Sequence, residues 1–261
     1  MSQSVLELRS AAAGGRAAGV VADGVVRVLG GRRVLDGLEL CAPAHGRFGI
    51  VGRSGAGKST LLSLVAGLDE PDGGRIAVGG DASVRGRLGH CALMPQRDCL
   101  LPWRSALDNA GLALENAGCS RREARERAMP LFERLGLAGS ARLYPSELSG
   151  GMRQRVAFVR TLLAEKPVLL LDEPFGALDA ITRSELQEWL AGALAIEPRT
   201  VLLVTHDVEE ALLLCERVLV LGSGRVVLDL DVDVVRDAPR REVVTRPAFV
   251  ALRERALEAI G

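Results

Sequence analysis

The chain has 261 residues, 48% hydrophobic but only 3% aromatic, with 33 basic residues against 33 acidic ones and a formal net charge of +0. That is enough apolar material for one large α/β domain or two small ones, with a core of Leu, Val and Ala in place of rings. The balanced charge gives no electrostatic case for nucleic acid or an anionic membrane surface as the main partner, and no apolar run approaches the ~18 residues of a membrane span.

The five cysteines, Cys41, Cys91, Cys99, Cys119 and Cys215, are odd in number and none are spaced C-x-x-C. They point to free or buried thiols in a reducing compartment. Residues 1–19, rich in Ala, Gly and Ser, are expected to form a flexible leader, and Glu7, Arg9 and Arg16 argue against a signal peptide. Val20-Val21 and Val25 to Leu29 are expected to be β, with a turn at Asp23-Gly24. Val34 to Leu40 alternates like a half-buried strand, and Phe48 to Val51 is a short apolar strand.

Next comes Gly52-Arg53-Ser54-Gly55-Ala56-Gly57-Lys58-Ser59-Thr60, the G-x-x-x-x-G-K-S pattern of a phosphate-binding loop, followed by the helical run Leu61 to Ala66. Glycines let backbone N–H groups turn inward onto phosphate oxygens, and the helix N-terminus adds its positive end. Lys58 would reach the β- and γ-phosphates, and the Ser59 hydroxyl would bind Mg²⁺. The chain has only two lysines, Lys58 and Lys166, and one of them falls on this position.

Arg75 to Val78 and Leu88 to Met94 are expected strands. From Ala106 to about Ala164 the period turns helical, over Ala106–Ala117, Arg121–Leu135 and Gly150–Leu163, with Pro130 expected to kink or break the second segment. Parallel-sheet signals return at Val168 to Asp172 and Val201 to Thr205, separated by an amphipathic helix from Ile181 to Ala195. Asp207 is an N-cap, Val218 to Leu230 reads as a hairpin turning at Gly222-Ser223-Gly224, and Pro247 to Ile260 as a last helix.

Leu169-Leu170-Leu171-Asp172-Glu173-Pro174 ends a buried strand in two acids, where ligands of open parallel sheets bind. Asp172 would hold Mg²⁺ and Glu173 would polarise the attacking water. Leu148-Ser149-Gly150-Gly151-Met152-Arg153-Gln154-Arg155 offers a second anion site, with a hydroxyl, exposed amides and a helix start.

With these motifs the chain resembles the ABC ATPases over roughly residues 20 to 230. The resemblance implies an α/β phosphate-loop domain at 20–232, with a mainly parallel core sheet, an N-terminal antiparallel β subdomain and a helical subdomain inserted at about 100–165, then a C-terminal helical extension at 233–261. It implies ATP and Mg²⁺ as cofactors. Gln96 would sense the metal and the water, Ala177-Leu178-Asp179 would cross a dimer interface, and His206 would contact the γ-phosphate. Ser149, Gly150 and Gly151 of a second copy would close the ATP site.

The segments Gln96 to Trp103, Asp172 to Asp179 and Thr205 to Ala211 look like the nitrate/sulfonate/taurine importer branch. They imply a peripheral protein on the cytoplasmic face of the membrane that contacts an integral permease near Leu101-Pro102-Trp103 and, indirectly, a solute-binding protein. The alternative is a soluble non-transport ABC ATPase, although Lys58 and Ser149 are too close for the coiled-coil insertion of repair-type relatives. Two features depart from the family pattern. Leu29 stands where adenine is usually stacked on an aromatic ring, and the approach to the phosphate loop is one residue shorter than usual, with Gly49 inside it as a residue that weakens a strand or marks a bulge, so an unusual register into the loop is expected.

Overall fold

The computed structural model describes residues 19–234, 238 and 240–261, so the expected leader lies outside the described residues except for Gly19. In chain order the elements are β1 (Val20–Leu29), β2 (Arg32–Ala42), β3 (Arg47–Gly52), α1 (Lys58–Ala66), β4 (Gly73–Val78), α2 (Val84–His90) and β5 (Cys91–Met94). Then follow α3 (Ala106–Asn116), α4 (Arg121–Arg134), α5 (Gly150–Leu162), β6 (Val168–Asp172), α6 (Ala180–Ile196) and β7 (Thr200–Val204). The last are α7 (Val208–Leu214), β8 (Arg217–Gly222), β9 (Arg225–Asp231), α8 (Arg240–Val243) and α9 (Pro247–Ile260).

Two sheets form. A three-stranded antiparallel sheet has the order β2-β1-β4, and a six-stranded sheet has the order β5-β6-β7-β3-β8-β9. The first five strands of the larger sheet are parallel, and β9 returns antiparallel to β8. Alternation along its strands builds two cores. Leu169, Leu171, Val201, Leu203, Val218 and Val220 face the layer of α3 to α7 and α9. Val168, Leu170, Leu202, Val204, Leu219 and Leu221 face α1 and the antiparallel sheet. Burial on both faces explains why these strands read as unbroken apolar runs.

Four expectations are corrected. Asp23-Gly24 is not a turn between strands; β1 runs through it with a register shift between Ala22 and Val25, and Gly24 takes φ 59. The strand expected from Leu88 starts only at Cys91, because Ser83 caps a helix through a bond from Gly86 N to its Oγ (3.0 Å) and that helix continues to His90. Pro130 does not break α4, which is held by a Ser120–Glu123 capping box and by buried Ala124, Ala128 and Phe132 four residues apart. Gly49 causes no bulge: β3 keeps unbroken parallel register with β7 and β8. Glycine is there for space, since a Cβ would lie 2.8 Å from the Ala211 Cβ, so α7 can press directly on the central strand.

The helical block is stitched internally by charge. Asp108 of α3 is buried and accepts from Arg121 Nη2 at 2.5 Å and Arg125 Nε at 2.6 Å on α4. These bonds, with that of Ser105, outweigh its burial and hold its carboxyl well below the ordinary range. No described helix is long and apolar enough to cross a membrane, and the five cysteines are free.

Candidate active site

Three neighbouring strands deliver the expected residues to one edge of the sheet. β3 leads into the glycine loop, β6 ends at Asp172, and β7, between them, leads to Thr205 and His206. The junctions are pinned by backbone bonds: Glu173 N donates to Val204 O at 2.8 Å, and Thr205 N donates to Ile50 O at 3.2 Å. All three loops therefore leave the carboxyl ends of adjacent parallel strands, the usual ligand position in such sheets.

Gly52 to Gly57 form the loop, and Lys58, Ser59 and Thr60 open α1. Gly57 caps this helix at φ 99, and a Cβ there would lie 2.8 Å from both Val34 O and Leu35 Cδ2 of β2, so only glycine fits. Arg53, Ser54 and Gly55 are exposed at the crest and Ala56 is half-buried. The Lys58 ammonium is buried and donates to Gly52 O at 2.7 Å and Arg53 O at 3.0 Å. Burial pulls its pKa down, while the charges of Glu173 and Asp172 oppose that.

Asp172 is buried at the end of β6 and hydrogen-bonded to Ser59. Burial pushes its carboxyl above the usual range and the nearby charge of Glu173 adds to this, while the Ser59 bond and Lys58 pull the other way. A hard cation would relieve the buried carboxylate, and an aspartate beside a serine hydroxyl is the oxygen donor set that Mg²⁺ takes. The residues present therefore fit the metal.

Glu173 adopts φ 49, a left-handed conformation that costs a non-glycine residue about 1–3 kcal/mol and collects at functional sites. Its Oε2 lies 3.2 Å from His206 Nδ1, with the glutamate side chain 21% exposed and the histidine 68%. With a proton on Nδ1, the imidazole donates to the carboxylate and fixes its direction. Lys58, Ser59, Asp172, Glu173 and His206 are thus brought together.

The remaining expected residues lie around this cluster. Gln96 stands exposed two residues past β5, on the same sheet edge. Ser149, Gly150 and Gly151 start α5, with Ser149 Oγ accepting from Met152 N at 3.2 Å, and both Ser149 and Gly150 are exposed. Asp179 caps α6, accepting from Ile181 N and Thr182 N at 3.1 Å, and these bonds hold its carboxyl low. Leu29 is 44% exposed at the end of the β1–β2 hairpin, opposite Arg32. Trp103 is 71% exposed and Pro102 is also exposed, while Leu101 is half-buried.

Two connections were not foreseen. Gln154 of α5 is buried and donates from Nε2 to Glu173 O at 2.8 Å. Arg153 donates to Asp98 Oδ2 at 3.0 Å, and Arg160 to the Asp98 and Cys99 carbonyls at 2.7 and 2.8 Å, strapping the segment after Gln96 to the same helix. Arg153 and Gln154 stand inside the Leu148–Arg155 motif that the sequence displays and Arg160 just beyond it, but only the backbone path shows what they hold.

Residues 35–176 match the ABC transporter family profile. An aliphatic sulfonates import ATP-binding protein of Agrobacterium fabrum (strain C58) is 42% identical over 255 residues, covering 98% of this chain and 93% of that protein. Its counterpart in Rhodococcus jostii (strain RHA1) is 49% identical, covering 79% and 80%. Among solved structures, the dimeric structure of MJ0796, described as a bacterial ABC transporter cassette, aligns with a TM-score of 0.75 at 29% identity over 82% of this chain and 98% of that one. A post-hydrolysis dimer of the same cassette, bound to ADP and Pi, aligns equally well. The family profile spans more than half of the chain, and the sequence relatives and solved cassettes match over most of its length, so this protein belongs to the ABC transporter family and carries its ATPase cassette.

Proposed function

We propose that this chain is the ATP-hydrolysing subunit that powers import of aliphatic sulfonates or chemically similar small anions. The observation that carries the hydrolytic reading is the Glu173–His206 pair at 3.2 Å, set beside Lys58 and the Ser59–Asp172 pair. The relatives from Agrobacterium fabrum and Rhodococcus jostii, both aliphatic sulfonates import ATP-binding proteins, support the solute class.

In this reading the loop from Gly52 to Thr60 wraps the ATP phosphates, with Lys58 bringing a poorly solvated positive charge to the β- and γ-oxygens. Ser59 and Asp172 would hold Mg²⁺, with Gln96 near it; the bound metal neutralises phosphate charge. Glu173 takes the proton of the attacking water, and His206 keeps its carboxylate aimed. Leu29 gives the base an apolar contact. A second copy would supply Ser149, Gly150 and Gly151 and meet the first across Asp179. The dimeric form of the similar cassette supports that pairing.

Residues 20–232 would form the ATPase domain, with the helical subdomain inserted at about 100–165 and an extension at 233–261. Exposed Pro102 and Trp103 would receive an integral permease at the cytoplasmic face, with a solute-binding protein acting through that permease. Glu173→Gln is expected to leave ATP affinity within about threefold and to lower turnover by roughly 10²–10⁴, measured on the purified chain with its membrane subunits. Turnover at the wild-type rate would remove Glu173 from the chemistry.

A further inference from the structure

Gln154 uses both ends of its amide on one short turn. Nε2 donates to Glu173 O and Oε1 accepts from Ala177 N, each at 2.8 Å. A carbonyl can only accept and a backbone N–H can only donate, so the two partners force the orientation of the amide. Three residues before it on α5, Gly151 also meets this turn: a Cβ there would lie 3.4 Å from Ala177 O and 3.3 Å from Leu178 Cδ2. The helix that starts at Ser149 is therefore seated on the turn joining Glu173 to Asp179.

The bond at Glu173 falls on a residue in the left-handed conformation. There, the direction of the side chain depends on how firmly the following carbonyl is held. That carbonyl has two donors, Gln154 Nε2 and Gly176 N at 3.2 Å, and the side-chain bond is the shorter.

We infer that Gln154 is a positioning residue for hydrolysis. Its amide locks the Glu173 peptide so that the carboxylate points to the attacking water, and its carbonyl holds Ala177 and hence the start of the Asp179 segment. The same side chain transmits the seating of the Ser149 helix to the general base. This inference rests on the reading of Glu173 as that base.

Gln154→Leu removes both bonds at similar volume. Misplacing a catalytic group by about 1 Å costs on the order of 10²-fold. For the chain assembled with its membrane subunits, kcat for ATP is expected to fall ten- to hundredfold. ATP affinity should stay within about threefold, because Lys58 and Ser59 are untouched. Gln154→Glu keeps the acceptor for Ala177 N but sets a carboxylate against the Glu173 carbonyl. When protonated, the introduced carboxyl donates as the amide does, so this variant should regain rate relative to wild type as pH is lowered from 8 to 6. A purely structural role would make the melting temperature recover in step with the rate, whereas positioning restores kcat at a melting temperature that stays near wild type across that pH range.

The inference is overturned if both variants turn over within twofold of wild type. It is also overturned if kcat, ATP affinity and melting temperature fall together, or if neither variant folds, since Gln154 would then serve packing alone. Glu173→Gln is assayed in parallel. If that variant is active, the reading of Glu173 itself fails; if it is inactive while the Gln154 variants are active, only the role of Gln154 fails.

Discussion

Glu210 sets a pH dependence that can be worked from its surroundings. It lies in the first turn of α7, 4% exposed, with Oε2 accepting from Thr205 Oγ1 at 3.1 Å and Oε1 buried without a hydrogen-bond partner. Burial pushes its pKa from 4.5 up to about 7, helped by the charge of Asp207 and opposed by the Thr205 bond and by Arg183 and Arg240. The folded chain thus binds this proton more tightly than the unfolded chain. The stabilisation is complete below pH 4.5 and is lost as pH rises through about 7. At about 1.36 kcal/mol per pH unit of difference, the full loss is roughly 3 kcal/mol, of which roughly 2.5 falls between pH 5 and pH 8. Glu210→Gln is neutral at both values and keeps the shape. Urea unfolding of both proteins at pH 5 and pH 8 should show the variant gaining about 2–3 kcal/mol relative to wild type at the higher pH. A stability difference that is the same at both pH values would refute the account of a carboxyl destabilised by burial.

Gly49→Val should destabilise the chain by about 1–3 kcal/mol, because even the first added carbon lies 2.8 Å from Ala211 Cβ and α7 must move; an unchanged melting temperature would contradict that packing. Lys58→Ala should weaken ATP binding at least tenfold by removing the loop's buried cation, measured by titration with a fluorescent ATP analogue, and wild-type affinity would rule out the loop as the phosphate site. Trp103→Ala should leave the fold intact, since the ring is 71% exposed. It should also reduce co-purification with the membrane subunits several-fold, as loss of a large aromatic anchor does at interfaces; undiminished co-purification would move the docking surface elsewhere.

Much of the site is legible in the sequence because phosphate chemistry requires certain residues at certain offsets. The loop at Gly52 to Thr60, the acids at the end of β6 and His206 after β7 each depend on local spacing along their own strand-to-loop junction. The order β5-β6-β7-β3-β8-β9 is not local, since β3 sits between strands that follow it by more than a hundred residues. Gly49 misleads for a related reason: its lack of a side chain serves α7, a partner distant in sequence that no strand pattern reveals. The apolar run that continues from Leu88 to Met94 suggests a strand, whereas the Ser83 cap commits the stretch up to His90 to a helix. Gln154 stands in a motif recognised by its glycines, and its two bonds became visible only once α5 was laid across the turn after Glu173.

The seam between the two sheets has a further consequence. Val34 of β2 is gripped from two sides: its carbonyl would lie 2.8 Å from a Cβ on Gly57 of the phosphate loop and 2.6 Å from one on Gly224 in the β8–β9 turn. Next to it, Asp36 N donates to Gly224 O at 3.0 Å and the Asp36 carboxylate accepts from Arg225 at 2.7 Å. The β1–β2 hairpin carrying Leu29 is therefore held both to the β8–β9 turn and to Gly57, the residue before Lys58. On the proposed reading, in which Leu29 meets the base and the loop wraps the phosphates, these contacts would set the distance between the two ends of the nucleotide, so that an apolar contact at Leu29 would be backed by fit along the length of the molecule.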